Sequence, residues 1–184
     1  MNIKSSTITG WTFIIVLNIF ISSFLIYKQD AFIQDRDIDV CFSPGNGCDD
    51  LIVRSLRKAK RSIYVHAFSF TSEKIANTLI DMHNKGILVT VLYDKSSNKS
   101  KHSKIPLLHK SGINVKQDLA RGYAHNKIMI IDQEILITGS YNWSMSAENR
   151  DAENLLFIRD QFLINKYIVN WYNRLSNARA YQAV

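Results

Sequence analysis

Residues 124–143 read AHNKIMIIDQEILITGSYNW. Two apolar, β-branched runs, Lys127 to Ile131 and Ile135 to Thr138, flank Asp132-Gln133-Glu134, a short polar break that folds such a pair into an antiparallel hairpin. Side chains two apart on a strand share a face, so His125 is presented with Lys127, and Ser140 with Asn142. Asp132 stands seven residues from His125. That odd offset puts it on the opposite face of a regular strand, and it is expected to hold structure rather than join the site.

Outward from this hairpin the chain alternates strand-like and helix-like runs. Ile38 to Ser43 reads as a strand, and Leu51, Ile52, Leu56 and Ala59 recur at helical spacing. Ile63 to Phe70 is β-branched and aromatic, a second strand. Ser72 is placed to cap a helix whose apolar stripe is Ile75, Leu79 and Ile80, with Gly86 ending it. Ile87 to Tyr93 is apolar almost throughout, as in a strand covered on both faces. Asp94 to Lys104 is a polar surface loop carrying Lys95, Lys99, Lys101 and Lys104, a solvated charge run or a phosphate-contacting rim. A helix over Ile105 to Lys110, strands over Ile113 to Lys116 and Leu155 to Ile158, and a closing helix with Leu163, Tyr167, Trp171, Tyr172 and Leu175 on one face complete the order. The expected fold class is α/β, a layered α-β-α sandwich with a mixed central sheet, because one strand pair is a hairpin and others need crossovers.

The chain has 184 residues, 46% hydrophobic and 21% charged, with only 7 Gly, 2 Pro and 2 Cys. These figures exclude a disordered tail, a collagen-like repeat and a disulfide-rich mini-protein. From Ser5 to Tyr27, 23 consecutive residues carry no charge, enough helix to cross a hydrocarbon core of about 30 Å. Residues 1–30 are therefore expected to form a transmembrane or signal helix, and residues 31–184 a catalytic domain. No A-x-A-like cleavage site follows, which favours a retained anchor over a cleaved signal. The Lys/Arg flanks are nearly balanced and lean only modestly toward a domain facing away from the cytoplasm, periplasmic or extracellular. Cys41 and Cys48 enclose Pro44, Gly45 and Gly47, a loop that closes into a disulfide if the domain is exported and holds two thiols if it is not.

The two presented pairs, with Glu153 beyond them, are equipment for a tetrahedral phosphate. Lys127 and Asn142 would bind the non-bridging oxygens, where negative charge grows as phosphorus becomes five-coordinate. His125 would attack phosphorus through an unprotonated ring nitrogen, and a carboxylate on the other nitrogen would fix that tautomer, with Glu153 the best candidate. No metal or cofactor is demanded, since the protein supplies both cation and nucleophile. His66, His83, His102 and His109 lack such company; His66 alone, in mid-strand, stands where a neighbouring strand could line the cleft. A Ser-His-Asp hydrolase built on Ser140 is disfavoured, because there is no G-x-S-x-G elbow and Lys127 would have no task.

The spacing H-x-K-x(4)-D-x(6)-G-S-x-N is met at His125, Lys127, Asp132, Gly139, Ser140 and Asn142, and it resembles the HKD motif of the phospholipase D superfamily. From about Cys41 to Trp171, including Ala152-Glu153-Asn154, the chain is similar to the short, single-motif bacterial endonucleases of that superfamily. The resemblance implies a phosphodiesterase that works without divalent metal through a covalent phosphohistidine on His125. It also implies a partner. A histidine bonded to phosphorus cannot protonate the leaving oxygen, so a chain with one motif is expected to pair as a homodimer around a shared cleft.

Without residues 1–30 the chain keeps 21 basic and 15 acidic side chains, a net +6, which favours polyanions such as nucleic acid or an anionic membrane. Arg54, Arg57, Lys58, Lys60 and Arg61 cluster in sequence and could track a phosphate backbone, although helical spacing spreads them around an axis. The leading expectation is a nonspecific endonuclease acting on DNA or RNA. The alternatives are a phospholipase D acting on phosphatidylcholine-type lipids and, third, a noncatalytic anchored binding protein.

Overall fold

The structure, a computed structural model, describes residues 37–182, so the expected helix over residues 1–30 lies outside the described residues. Among the described residues no helix is long and apolar enough to cross a membrane. Eight strands form one sheet: β1 Ile38–Ser43, β2 Ser62–Ala67, β3 Leu88–Tyr93, β4 Asn114–Gln117, β5 Lys127–Ile131, β6 Ile135–Gly139, β7 Glu153–Ile158 and β8 Arg179–Ala180. Five α-helices join them: α1 Cys48–Arg57, α2 Glu73–Asn84, α3 Ile105–Lys110, α4 Met145–Asn149 and α5 Gln161–Ser176. The strand order is β1-β7-β6-β5-β2-β3-β4-β8. Only β2 with β3 and β3 with β4 are parallel, each pair connected through a helix, and the remaining neighbours run antiparallel. The mixed sheet expected from the sequence is therefore present.

Two apolar layers hold the sheet. On one face Tyr64, Leu92, Ile128, Ile130, Leu136 and Ile158 pack against Ile164 and Trp171 of α5, with the Tyr64 and Trp171 rings stacked at 4.5 Å. The alternate residues, among them Val65, Val91, Met129, Ile137 and Phe157, are fully buried on the other face, where α1 and α2 contribute Ile52, Leu56, Ile75 and Leu79. Each such side chain stabilises the fold by about 1.5–3 kcal/mol relative to leaving it in water. Ser72 caps α2 as its position predicts, accepting a hydrogen bond from the Ile75 amide. Cys41 of β1 and Cys48 of α1 form a disulfide with a Cα–Cα distance of 5.8 Å, which resolves the two readings of that pair.

Three expectations need correction. β2 stops at Ala67 rather than Phe70, because the Phe68 amide turns to the Asn126 carbonyl and Phe70 makes only an isolated bridge with Trp143. Tyr172 is 43% exposed, set on the flank of α5 with its hydroxyl donating to the Tyr64 hydroxyl. His66 lines no cleft. It is fully buried, with Nε2 3.1 Å from Asp118 Oδ2, and Arg174 of α5 binds the same carboxylate. Burial opposes the charge on Asp118, but the hydrogen bonds from His66 and Arg174 outweigh it and hold its carboxyl well below the usual range.

Candidate active site

The site lies at the end of the sheet where β2 and β3 finish, β5 begins and β6 gives way to the loop before α4. Register fixes the geometry. Ile128 pairs with Thr138, and Gly139 with Leu155, so Lys127 of β5 and Glu153 of β7 project from the same face of the sheet on either side of β6. Gly139 has φ 155°, and a Cβ there would overlap the Asn154 carbonyl oxygen, so only glycine lets β6 and β7 close here. Beyond it, Ser140 and Asn154 tie the two strands together. The Ser140 amide donates to the Asn154 carboxamide oxygen at 3.0 Å, and the Asn154 amide donates to Ser140 Oγ at 3.0 Å.

His125 is exposed just before β5, while Lys127 is buried. The Lys127 ammonium lies 2.7 Å from His125 Nδ1 and 3.0 Å from the His125 carbonyl oxygen. The same ammonium lies 3.3 Å from Nε2, so it reaches both ring nitrogens, and because an ammonium only donates it bonds whichever of them carries the lone pair. Burial lowers the Lys127 pKa, and the charge of Glu153 counters part of that fall. The carboxylate was expected on the imidazole. Among the described residues no hydrogen bond joins Glu153 to His125, and Glu153 acts on the pair through its field at Lys127. The lysine is the group beside the imidazole because, two residues further along the chain, its four-carbon stem folds back onto His125.

Asn142 sits in the loop that follows Ser140, with a buried carboxamide oxygen that has no hydrogen-bond partner. The loop itself is held firmly. Tyr141 donates to Glu148 Oε2 at 2.9 Å, the same oxygen takes the Asp49 amide at the start of α1 at 3.0 Å, and Trp143 Nε1 donates to the His66 carbonyl. Asp132 is at the opposite end of β5. Its carboxylate accepts the amides of Lys60, Arg61 and Ser62 at 2.7, 2.7 and 2.9 Å, the structural role its odd offset predicts. Asp132 and Gln133 have φ 54° and 62°, and the Glu134 amide closes the turn onto the Ile131 carbonyl, a type I′ hairpin turn in which Asp tolerates the left-handed conformation.

The sequence pointed to no role for Asp94, Asp118, Phe68 or Tyr123. Asp94 and Asp118, both buried, accept the amides of Ala124 and Ala120 at 2.6 and 2.8 Å and so fix the segment leading to His125. The Phe68 ring lies 4.1 Å from the His125 ring and 5.8 Å from that of Tyr123. One signal was readable for Asp94, which ends the apolar run Ile87 to Tyr93, where a carboxylate has loop amides to bind; Asp118 follows the mostly polar Asn114–Gln117 and carried no such signal. The basic cluster dissolves in part, since Arg61 binds Glu134 and the Asp132 carbonyl. Among the described residues no group of three His, Cys, Asp or Glu side chains is placed to hold a metal ion.

Known proteins share this arrangement. The family described as "Cardiolipin synthase, PLD-like domain" matches residues 52–176. Phospholipase D of Rickettsia typhi is 41% identical over 139 residues, 76% of this chain and 68% of that protein. Mitochondrial cardiolipin hydrolase of Canis lupus familiaris is 33% identical over 117 residues, 64% of this chain and 46% of that one. Among solved structures, Nuc from Salmonella typhimurium, a phospholipase D family member, superposes with a TM-score of 0.75 at 28% identity, covering 79% of this chain and 98% of its own. The family match over residues 52–176, these relatives and this sheet make the chain a phosphodiester hydrolase of the phospholipase D superfamily.

Proposed function

We propose that the protein is a nonspecific endonuclease that cleaves phosphodiesters through a phosphohistidine on His125, without a divalent metal. The observation that carries this reading is the Lys127 ammonium 2.7 Å from a ring nitrogen of His125. A substrate phosphate draws that ammonium onto its own oxygen and leaves an unprotonated ring nitrogen of His125 open. The nitrogen attacks phosphorus, a P–N bond forms, and the P–O bond to the leaving nucleoside breaks as that oxygen takes a proton. Water then attacks phosphorus and His125 departs. The Lys127 ammonium and the Asn142 carboxamide N–H groups, donors both, stabilise the charge on the non-bridging oxygens. Ser140 keeps the loop in place, and Glu153 keeps Lys127 charged.

The proton for the leaving oxygen comes, in this reading, from the partner's His125 in a homodimer. Support for a pair comes from β1, where Ile38, Val40 and Phe42 are 54, 39 and 58% exposed on one face, an apolar row beside Asn154 that a second copy would cover. Membrane attachment and an extracytoplasmic site rest on the uncharged N-terminal stretch and on the disulfide, which persists in oxidising compartments. The basic surplus supports nucleic acid as the partner.

A second reading, hydrolysis of phospholipid, is favoured by the names of the relatives above. Full-length protein in detergent, incubated in excess chelator with plasmid DNA, RNA and phosphatidylcholine, separates the two. Nicking of nucleic acid without lipid turnover is expected; lipid turnover alone would reverse the assignment. Acid-labile phosphorus on His125 in a quenched reaction is the companion measurement, and its absence would remove the covalent step.

A further inference from the structure

Tyr123 is 67% exposed, two residues before the nucleophile, and nothing in the chemistry above uses it. An aromatic ring left in water on a loose loop would be unremarkable, but this segment is pinned on both sides. The buried carboxylate of Asp118 accepts the Ala120 amide and that of Asp94 accepts the Ala124 amide. Between the clamps, residues 121–123 stand out from the surface, and Tyr123 meets Phe68 edge to face at 5.8 Å with an interplanar angle of 83°. Phe68 in turn contacts the His125 ring at 4.1 Å and has the Lys127 ammonium 5.0 Å from its centroid. The result is a row of rings that starts at the nucleophile and ends in solvent, held by two buried charges.

Building on the nuclease reading, we propose that Tyr123, backed by Phe68, is a stacking ledge for the nucleobase next to the scissile phosphate, so that the preferred substrate is a strand with unpaired bases. A fixed ring that presents a face costs little ordering on binding, and every base offers a π-face, so stacking holds a strand without reading its sequence. A paired base has that face buried in its own helix. Basic groups nearby, Arg121 and Lys95, whose ammonium reaches the Arg121 carbonyl at 3.4 Å, suit the neighbouring phosphates. A phospholipid headgroup has no face to stack.

The test uses the full chain in detergent and two single-stranded oligonucleotides that share one cleavable phosphodiester, one with normal flanking bases and one with abasic sites at those positions. For the wild type, kcat/KM is expected to be higher on the base-bearing strand. In Tyr123→Ala that preference should shrink by about tenfold, carried by KM, whereas Tyr123→Phe and Tyr123→Trp should retain it. An undiminished preference in Tyr123→Ala, with DNA still cleaved, overturns the ledge and leaves the nuclease reading intact. If the wild type cleaves neither oligonucleotide but turns over phosphatidylcholine vesicles, the nuclease reading fails and takes the ledge with it.

Discussion

The two ends of β5 carry residues of one sequence motif and do opposite things with them. At its start, the exposed His125 and buried Lys127 bond to each other and pack on Phe68, and neither side chain is tied to a distant backbone group. At its finish, Asp132 spends both carboxylate oxygens on three backbone amides of the segment entering β2. Motif membership therefore says that a residue is needed, not what for. Strand parity and hydrogen-bond saturation supply the rest: a charged group whose partners are all protein backbone is holding the fold, and one with unfilled valences is working on a ligand.

That contrast can be broken most decisively at its active end. His125→Ala should cut phosphodiesterase turnover by more than about 10⁴-fold, in line with loss of a nucleophile, while the melting temperature barely moves because the side chain is exposed; substantial residual turnover would assign the attack to another group. Lys127→Met should lower kcat by about 10²–10³-fold, as expected when a charge-stabilising donor is removed, measured on the same substrate. Asp132→Ala should do the reverse, destabilising the domain by about 3 kcal/mol in urea because three amides lose their acceptor, with kcat per folded molecule preserved. An Asp132 variant that folds normally yet is inactive would abolish the distinction between the two ends.

Smaller effects sharpen it. Burial already lowers the Lys127 pKa and Glu153 resists that fall. Glu153→Gln should therefore let it drop further, and the alkaline limb of kcat/KM should move to lower pH. A carboxylate acting on the imidazole instead would shift the acid limb. Far from the chemistry, Asp118 has a depressed carboxyl pKa, held down against burial by His66 and Arg174. Its contribution to stability is complete above an unfolded value of about 3.9 and is lost as the pH falls toward its folded value. Asp118→Asn should flatten that acid-side loss in chemical denaturation at pH 2–4, and an unchanged acid profile would show that the buried network is not ion-paired.

Much of this was legible in the chain because its signals are local. The 131–135 turn, the Ser72 cap and the β1 boundaries follow from residues that act within a few positions of themselves. What escaped depends on residues distant in sequence. β8 exists because Arg179 and Ala180 find the edge of β4, and α4 is five residues capped by the Ser144 hydroxyl, which accepts from the Ala147 amide; neither carries an apolar period. His66 looked like a cleft residue from its strand position alone. The docking of α5 brings Arg174 to Asp118 and closes His66 into a buried cluster with them. The lysine beside the imidazole was not legible, because a sequence gives the face of a strand but not how far a side chain folds back.

The placement of β1 also governs how the molecule is made. Among the described residues its strand partner is β7, with Ile38 opposite Ile158, so during synthesis this strand waits for more than a hundred residues before that pair can form. Contacts of such long separation slow folding. Until then its edge and its apolar row are open to any other unfinished chain, and the ribosome must release most of the domain before the sheet can close.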